Sequence, residues 1–180
     1  MILTDLILVD ESDRPVGSME KMEAHRQGLL HRAFSIFIFN KKGEMLLQQR
    51  AAGKYHSAGL WTNACCSHPH PGQDTIPAAH ARLAFEMGIN TRLEEIFSFT
   101  YHASFDNGLI EHEFDHVFYG TCEGPVTPNP AEVQDYCFTP IKDLANSLQS
   151  HPEKYTAWFR IAFPLIQQWM EDNAIAREVA

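Results

Sequence analysis

The sequence predicts an α/β fold in which helices sandwich a mixed β-sheet. Residues 33–39 form an apolar run, and a polar turn at 40–43 connects it to a second run, as in a β-hairpin. Between residues 75 and 87, apolar side chains recur at helical spacing. Hairpins and helices do not alternate regularly, so we expect a mixed sheet rather than a doubly wound parallel one.

The N-terminal half supplies the first strands. Residues 6–10 read as a short strand, and residues 11–15 as a turn into residues 16–18. The hairpin of residues 33–39 and 44–50 follows. A further short strand is expected to end at Cys65-Cys66-Ser67.

The C-terminal half mixes helices with a second hairpin. The helix at 75–87 is expected to stop at Gly88. Strands at 97–105 and 111–122 flank Asp106-Asn107-Gly108, where Asn and Gly tolerate positive φ. One more strand at 133–138 and helices at 141–148 and 155–172 complete the predicted order.

The composition predicts a single domain over residues 1–180, since a chain of this length with 44% hydrophobic residues can bury one sizeable core. The net charge of −9 argues against nucleic acid and anionic membranes as partners, because both require a basic surface. A small phosphorylated molecule is compatible with this charge as a substrate, and we expect a monomer or weak homodimer.

The apolar stretches predict a protein that stays in the cytoplasm. None is long enough to cross a bilayer, and residues 1–5 lack the basic and apolar segments of a secretory leader. The four cysteines include the adjacent pair Cys65 and Cys66 and show no CxxC spacing, so free thiols in a reducing compartment are expected.

Histidines and carboxylates cluster at the ends of predicted elements. His25 and His31 lie in the loop before the first core strand, and His68 follows the strand that ends at Ser67. Glu111 and Glu113 are two residues apart on a strand and so point to one face. Three imidazoles and two carboxylates suit a divalent ion such as Zn, Mn or Mg.

Residues 61–69, WTNACCSHP, resemble the WTNxxCxHP segment of type I isopentenyl-diphosphate isomerases, whose fold is that of the Nudix hydrolases. Residues 20–25, EKMEAH, look like the EKxxAH segment of that family, and residues 111–113, EHE, look like its ExE motif. Matching landmarks run from about residue 21 to residue 158, which is most of the chain. The resemblance implies a Nudix-like fold and a role in isoprenoid biosynthesis.

The resemblance also implies a metal-dependent site. The ligands of a first divalent ion (Mg, Mn or Zn) would be His25, His31, His68, Glu111 and Glu113. Glu86 and the backbone carbonyl of Cys66 would hold a second ion, Mg, together with the substrate's diphosphate.

The same resemblance assigns roles in moving a double bond of isopentenyl diphosphate to give dimethylallyl diphosphate. Cys66 and Glu113 would transfer the protons, with either one as donor and the other as acceptor, and Tyr101 would assist. Trp158 would offer its π face to a tertiary carbocation. The residues matching the family's diphosphate-binding cations are Lys21, Arg50, Lys54 and Arg82.

Two alternatives stand beside this interpretation. A Nudix hydrolase would cleave the diphosphate, but with Gly88 as the last glycine of the Nudix box, Arg82 and Phe85 occupy two of its carboxylate positions. A non-catalytic metal-binding protein could use the same histidines and glutamates, although it would have no use for Cys66 or Trp158.

Overall fold

In a computed structural model of the chain, residues 5–54 and 56–178 are described, with side chains through residue 173. The first four residues, part of the segment without leader features, lie outside this description. The strands are β1 (Asp5–Val9), β2 (Pro15–Glu20), β3 (His31–Phe39), β4 (Met45–Arg50), β5 (Trp61–Asn63), β6 (Cys65–Ser67), β7 (Leu93–Ser104), β8 (Ile110–Thr121) and β9 (Val133–Thr139). The helices are α1 (Lys21–Gln27), α2 (Thr75–Met87), α3 (Ile141–Ser150) and α4 (Ala157–Glu178), with a 3-10 turn at Pro152–Lys154.

Strand β3 is the centre of one mixed sheet. It pairs in parallel with β8 over its whole length, from His31 opposite Glu113 to Phe39 opposite Thr121. It also pairs antiparallel with β1 and β6, while β4 pairs with β5 and β9. The mixed sheet predicted from the sequence is confirmed.

The first predicted hairpin needs a correction. β3 and β4 pair antiparallel only where Phe39 lies opposite Met45, and beyond that point the two strands diverge. The reason is that β3 takes β8 and β6 as its long partners instead. The second predicted hairpin is confirmed, because β7 and β8 pair over their lengths across a turn in which Gly108 has φ 79°.

Helices cover both faces of the sheet. Alternate residues of β3 point to opposite sides, so Ile36 packs with Leu83 of α2 and Phe37 packs with Phe159 of α4. Each of these side chains is fully buried. The predicted sandwich of helices around the sheet is therefore confirmed.

Helix α1 was not expected from the sequence. His25, predicted in a loop, lies in this helix, whose N-terminus is capped by the Glu20 side chain accepting from the Glu23 backbone amide. His31 likewise is the first residue of β3 rather than part of the loop before it. Helix α2 has the predicted bounds and ends at Gly88, with φ 67°, where a side chain would collide with Thr127.

Candidate active site

Four of the predicted metal ligands form one group. His25 comes from α1, His31 from the start of β3, His68 from the residue after β6, and Glu113 from β8, and their ligand atoms all lie within 4.8 Å of one another. The parallel register puts His31 opposite Glu113. The Glu113 Oε1 atom is 2.9 Å from His68 Nε2 and 3.5 Å from His31 Nε2.

The orientations of two imidazoles suit a metal. His25 Nδ1 donates to the Lys21 carbonyl at 2.7 Å, and His31 Nδ1 donates to the Leu29 carbonyl at 2.8 Å. Because a carbonyl oxygen only accepts, Nδ1 is the donor in each ring, and the neutral form of such an imidazole has its lone pair on Nε2. Both Nε2 atoms are buried, and neither has a hydrogen-bond partner among the described residues. This donor set fits a divalent ion.

Burial sets the protonation states in this group. Burial lowers the pKa of His68 to about 3 and also lowers the pKa of His25. Burial acts to raise the pKa of Glu113, but its contacts with His31 and His68 hold that pKa well below the usual range. Neutral imidazoles beside an ionised carboxylate are the forms that bind a metal.

The fifth predicted ligand, Glu111, lies beside this group rather than within it. Its Oε1 atom is 3.3 Å from His56 Nε2, and its Oε2 atom is 3.1 Å from the Tyr101 hydroxyl. The Tyr101 hydroxyl also contacts Glu113 Oε2 at 2.7 Å and so connects the two carboxylates. Burial and the charge of Glu113 raise the pKa of Glu111 well above the usual range.

The two adjacent cysteines face opposite sides of the sheet. Cys65 is fully buried in the core beneath α2, whereas Cys66 packs on the α4 side and lines a cleft there. The Cys66 thiol donates to Asn63 Oδ1 at 3.1 Å. Burial raises the pKa of Cys66, so its proton is retained in this environment.

Trp158 forms part of both the core and the cleft. It is 4% exposed and packs in the core cluster of α4. Its ring is nearly perpendicular to the His56 ring, with 5.6 Å between centroids, and the Arg50 guanidinium lies over the Trp158 ring, 5.1 Å from its centroid. The π face of Trp158 therefore already contacts one cation in this structure.

The predicted diphosphate-binding cations lie around the same cleft. Arg82 Nε is 2.6 Å from Glu86 Oε1, and Arg82 Nη2 is 2.9 Å from Glu132 Oε2. Lys54 also forms an ion pair with Glu132. Burial lowers the pKa of Lys21. Glu132 thus holds two cations from different elements in place.

The cleft encloses about 500 Å³ when the space open to solvent is included. Its lining residues are Lys21, Arg50, Lys54, His56, Cys66, Ser67, His68, Arg82, Glu86, Tyr101, Glu111, Glu113 and Trp158. Among the predicted site residues, His25 and His31 lie behind this wall and reach the site through their contacts with His68 and Glu113.

Comparison with known proteins identifies the family. A NUDIX domain model matches residues 29–159. An isopentenyl-diphosphate Delta-isomerase from Pectobacterium atrosepticum is 48% identical over 171 residues, which cover 95% of this chain and 96% of the relative. One from Serratia proteamaculans is 52% identical over 154 residues, 86% of each chain. The chain belongs to the isopentenyl-diphosphate Delta-isomerase family, and this membership makes it an isomerase.

Solved structures agree on the fold. A Deinococcus radiodurans protein superposes with a TM-score of 0.75 at 15% identity, covering 89% of this chain and 97% of that one. A MutT protein from Methanosarcina mazei superposes with a TM-score of 0.64 at 18% identity, covering 80% of this chain and 95% of that one. The predicted Nudix-like fold is confirmed.

The helix that would carry a hydrolytic Nudix box is altered in this isomerase-family chain. Arg82 and Phe85 stand where the box has carboxylates, and the Arg82 guanidinium lies 5.1 Å from the centroid of the half-exposed Phe85 ring. Glu86 is retained and buried, where it accepts from Gln48 Nε2 at 2.9 Å.

None of the helices in the described residues is both long enough and apolar enough to span a membrane.

Several residues at the site were not predicted from the sequence. His56 and Glu132 contact predicted site residues. Asn63 and Ser35 contact the Cys66 thiol, and Asp115 accepts a hydrogen bond from Ser35. Some signals were present in the sequence. Ser35 interrupts the apolar run at 33–39, and Asp115 continues the every-second-residue series begun by Glu111 and Glu113.

Proposed function

We propose that this protein interconverts isopentenyl diphosphate and dimethylallyl diphosphate by a protonation and a deprotonation, in isoprenoid biosynthesis. The observation that carries the proposal is the convergence of four kinds of group on one cleft. They are the Cys66 thiol, the hydrogen-bonded pair of Tyr101 and Glu113, the Trp158 ring, and a set of cations. A site that only bound a metal would not need these groups together.

The cations would bind the diphosphate. Arg50 and Arg82 offer forked donors, and Lys21 and Lys54 offer point charges, all at one cleft. Anchoring the diphosphate fixes the position of the five-carbon unit against the thiol and the carboxylate. Such fixed geometry is a large part of what an enzyme contributes to a rate.

The isomerisation adds a proton at one end of the allylic unit and removes one from the other. Cys66 and Glu113 would do this from two sides of the substrate, and the Tyr101 hydroxyl, 2.7 Å from Glu113 Oε2, would hold the carboxylate in position. Because the reaction is reversible, the donor in one direction is the acceptor in the other. The Trp158 π face would stabilise the tertiary cation in a cleft that excludes water.

A divalent ion, Mg, Mn or Zn, would be held by His25, His31, His68 and Glu113, and we propose that Glu111 completes the set. The positive charge of this ion would modulate the acidity of Glu113. Glu86 and the Cys66 carbonyl would hold a second ion, Mg, with the diphosphate. The residues therefore divide into a nitrogen-rich site within the protein and an oxygen site at the diphosphate.

Incubation of the purified protein with isopentenyl diphosphate in deuterated water tests the function. We expect dimethylallyl diphosphate that carries deuterium, and no label in a Cys66→Ala control. Release of phosphate at a comparable rate would favour the Nudix hydrolase alternative. Binding of metal without any turnover would favour the non-catalytic alternative.

We also propose that residues 1–180 form one domain that works in the cytoplasm as a monomer or weak homodimer, without nucleic-acid or membrane partners. The net charge of −9 and the single sheet of the described residues support this. Light scattering after size-exclusion chromatography measures the oligomeric state, and a stable higher oligomer would contradict it.

A further inference from the structure

A buried hydrogen-bonded chain lies behind the Cys66 thiol. Ser35 of β3 lies directly opposite Cys66 of β6 in the antiparallel register. The Ser35 hydroxyl donates to Asp115 Oδ2 at 2.7 Å, and its oxygen is 3.3 Å from Cys66 Sγ. Asp115 lies on β8 two residues after Glu113, and it is 1% exposed.

The thiol has a second contact of fixed direction. Cys66 Sγ donates to Asn63 Oδ1 at 3.1 Å. The Asn63 side-chain amide group donates to the backbone carbonyls of Ile36, at 3.1 Å, and Cys65, at 2.9 Å. These two bonds leave the amide oxygen pointing at the sulfur. Cys66 Sγ therefore contacts both Ser35 and Asn63. Ser35 is held by Asp115, and Asn63 is held by the two backbone carbonyls.

The Asp115 carboxylate has a specific effect on this arrangement. With the Ser35 proton committed to Asp115, the Ser35 oxygen can only accept, so it shares the single thiol proton of Cys66 with Asn63 Oδ1. If Asp115 did not accept, the hydroxyl could rotate and donate toward the sulfur instead. Asp115 thus determines which face Ser35 presents to Cys66.

We infer that Ser35 and Asp115 are positioning residues for the Cys66 thiol, holding its sulfur in the rotamer that faces the cleft. This inference rests on the proposed function, in which that sulfur exchanges a proton with the substrate. Among the described residues, neither Ser35 nor Asp115 is part of the cleft wall. They act on the substrate only through Cys66.

A purely structural role explains the arrangement less well. Asp115 Oδ1 is buried and has no hydrogen-bond partner among the described residues. A buried carboxyl that is only half satisfied destabilises a fold. An apolar side chain would serve the packing better, so the carboxyl points to a role at the site.

The test compares kinetics in Ser35→Ala, Asp115→Leu and Asp115→Asn with those of the wild type. Ser35→Ala and Asp115→Leu should lower kcat about tenfold or more, because small misplacements of a reacting group are costly, while KM changes by less than about twofold. Asp115→Asn keeps an oxygen that accepts from Ser35 and should lose less than about threefold in kcat. The double variant Ser35→Ala/Asp115→Leu should be no worse than either single one, since both act through one hydroxyl.

Ser147→Ala is the matched control, because it removes a hydroxyl that accepts from Tyr155 at 2.7 Å on α3, away from the cleft. It should leave kcat and KM unchanged. Crystal structures of the wild type and Ser35→Ala give a readout independent of turnover, with Cys66 Sγ expected to leave its position beside Asn63 in the variant. An unmoved sulfur or an unchanged kcat would overturn the inference, whereas a wild type that fails to isomerise would overturn the proposed function instead.

Discussion

Substituting the two adjacent cysteines one at a time distinguishes the packing role of Cys65 from the proposed chemical role of Cys66. Cys65→Ala removes a fully buried sulfur from the core beneath α2, at a cost of about 1 kcal/mol of stability. For a chain of this size that corresponds to a fall of about 3 °C in Tm. Its kcat should stay within about twofold of the wild type, because Cys65 faces away from the cleft.

Cys66→Ala should behave in the opposite way. Loss of a group that transfers a proton lowers kcat by about 10²–10⁴-fold. Because one side of Cys66 faces the cleft, its side chain makes fewer packing contacts than that of Cys65, so Tm should change little. Turnover of isopentenyl diphosphate and thermal unfolding at matched metal concentration measure both quantities, with Cys122→Ala as a control thiol. Equal loss of activity in the two variants would refute the argument from strand faces.

Three further outcomes follow from the site. His68→Ala should lose the metal and most of the activity, because it removes a ligand that contacts Glu113 at 2.9 Å. Full metal content of this variant by mass spectrometry would contradict the ligand assignment. Trp158→Leu should lower kcat about 30-fold, the equivalent of about 2 kcal/mol of cation–π stabilisation. Trp158→Phe should have an intermediate kcat, and equal rates in the two variants would exclude a cation–π role for Trp158. Arg82→Glu should bind isopentenyl diphosphate weakly without gaining hydrolytic activity. Phosphate release, measured in parallel with isomerisation, tests this. A variant that hydrolyses the substrate would mean that one substitution restores a Nudix site.

The sequence named many of the residues that the fold brings together at the cleft, but it did not name the long partners of β3. The cysteine segment and the ExE motif have fixed internal spacings, so the sequence alone was enough to single out Cys66, His68 and Glu113. The parallel pairing of β3 with β8 joins residues about 80 apart along the chain. Local patterns carry no information about such a partner.

Helix α1 was missed for a physical reason. Its seven residues are too few to show a helical period of apolar side chains. Its ends did carry signals, with Glu20 as a capping side chain and Gly28 in the left-handed region at φ 63°. These caps are consistent with His25 on a helix, where its Nδ1 atom reaches the Lys21 carbonyl one turn earlier.

Helix α2 differs from a hydrolytic Nudix box in its charged residues. In the Nudix box, carboxylates on this helix gather metals around an attacking water. Here Arg82 takes one of those positions and contacts Glu86 one helical turn away at 2.6 Å, so a cation replaces an anion beside the remaining carboxylate. Fewer anions remain to collect metals, and in the proposed function the guanidinium would hold the diphosphate instead of exposing it to attack. A cleft that shelters a carbocation must also exclude water, which would trap the cation as an alcohol. In the proposed function, the loss of carboxylates that would gather metals around a water molecule would serve this same requirement.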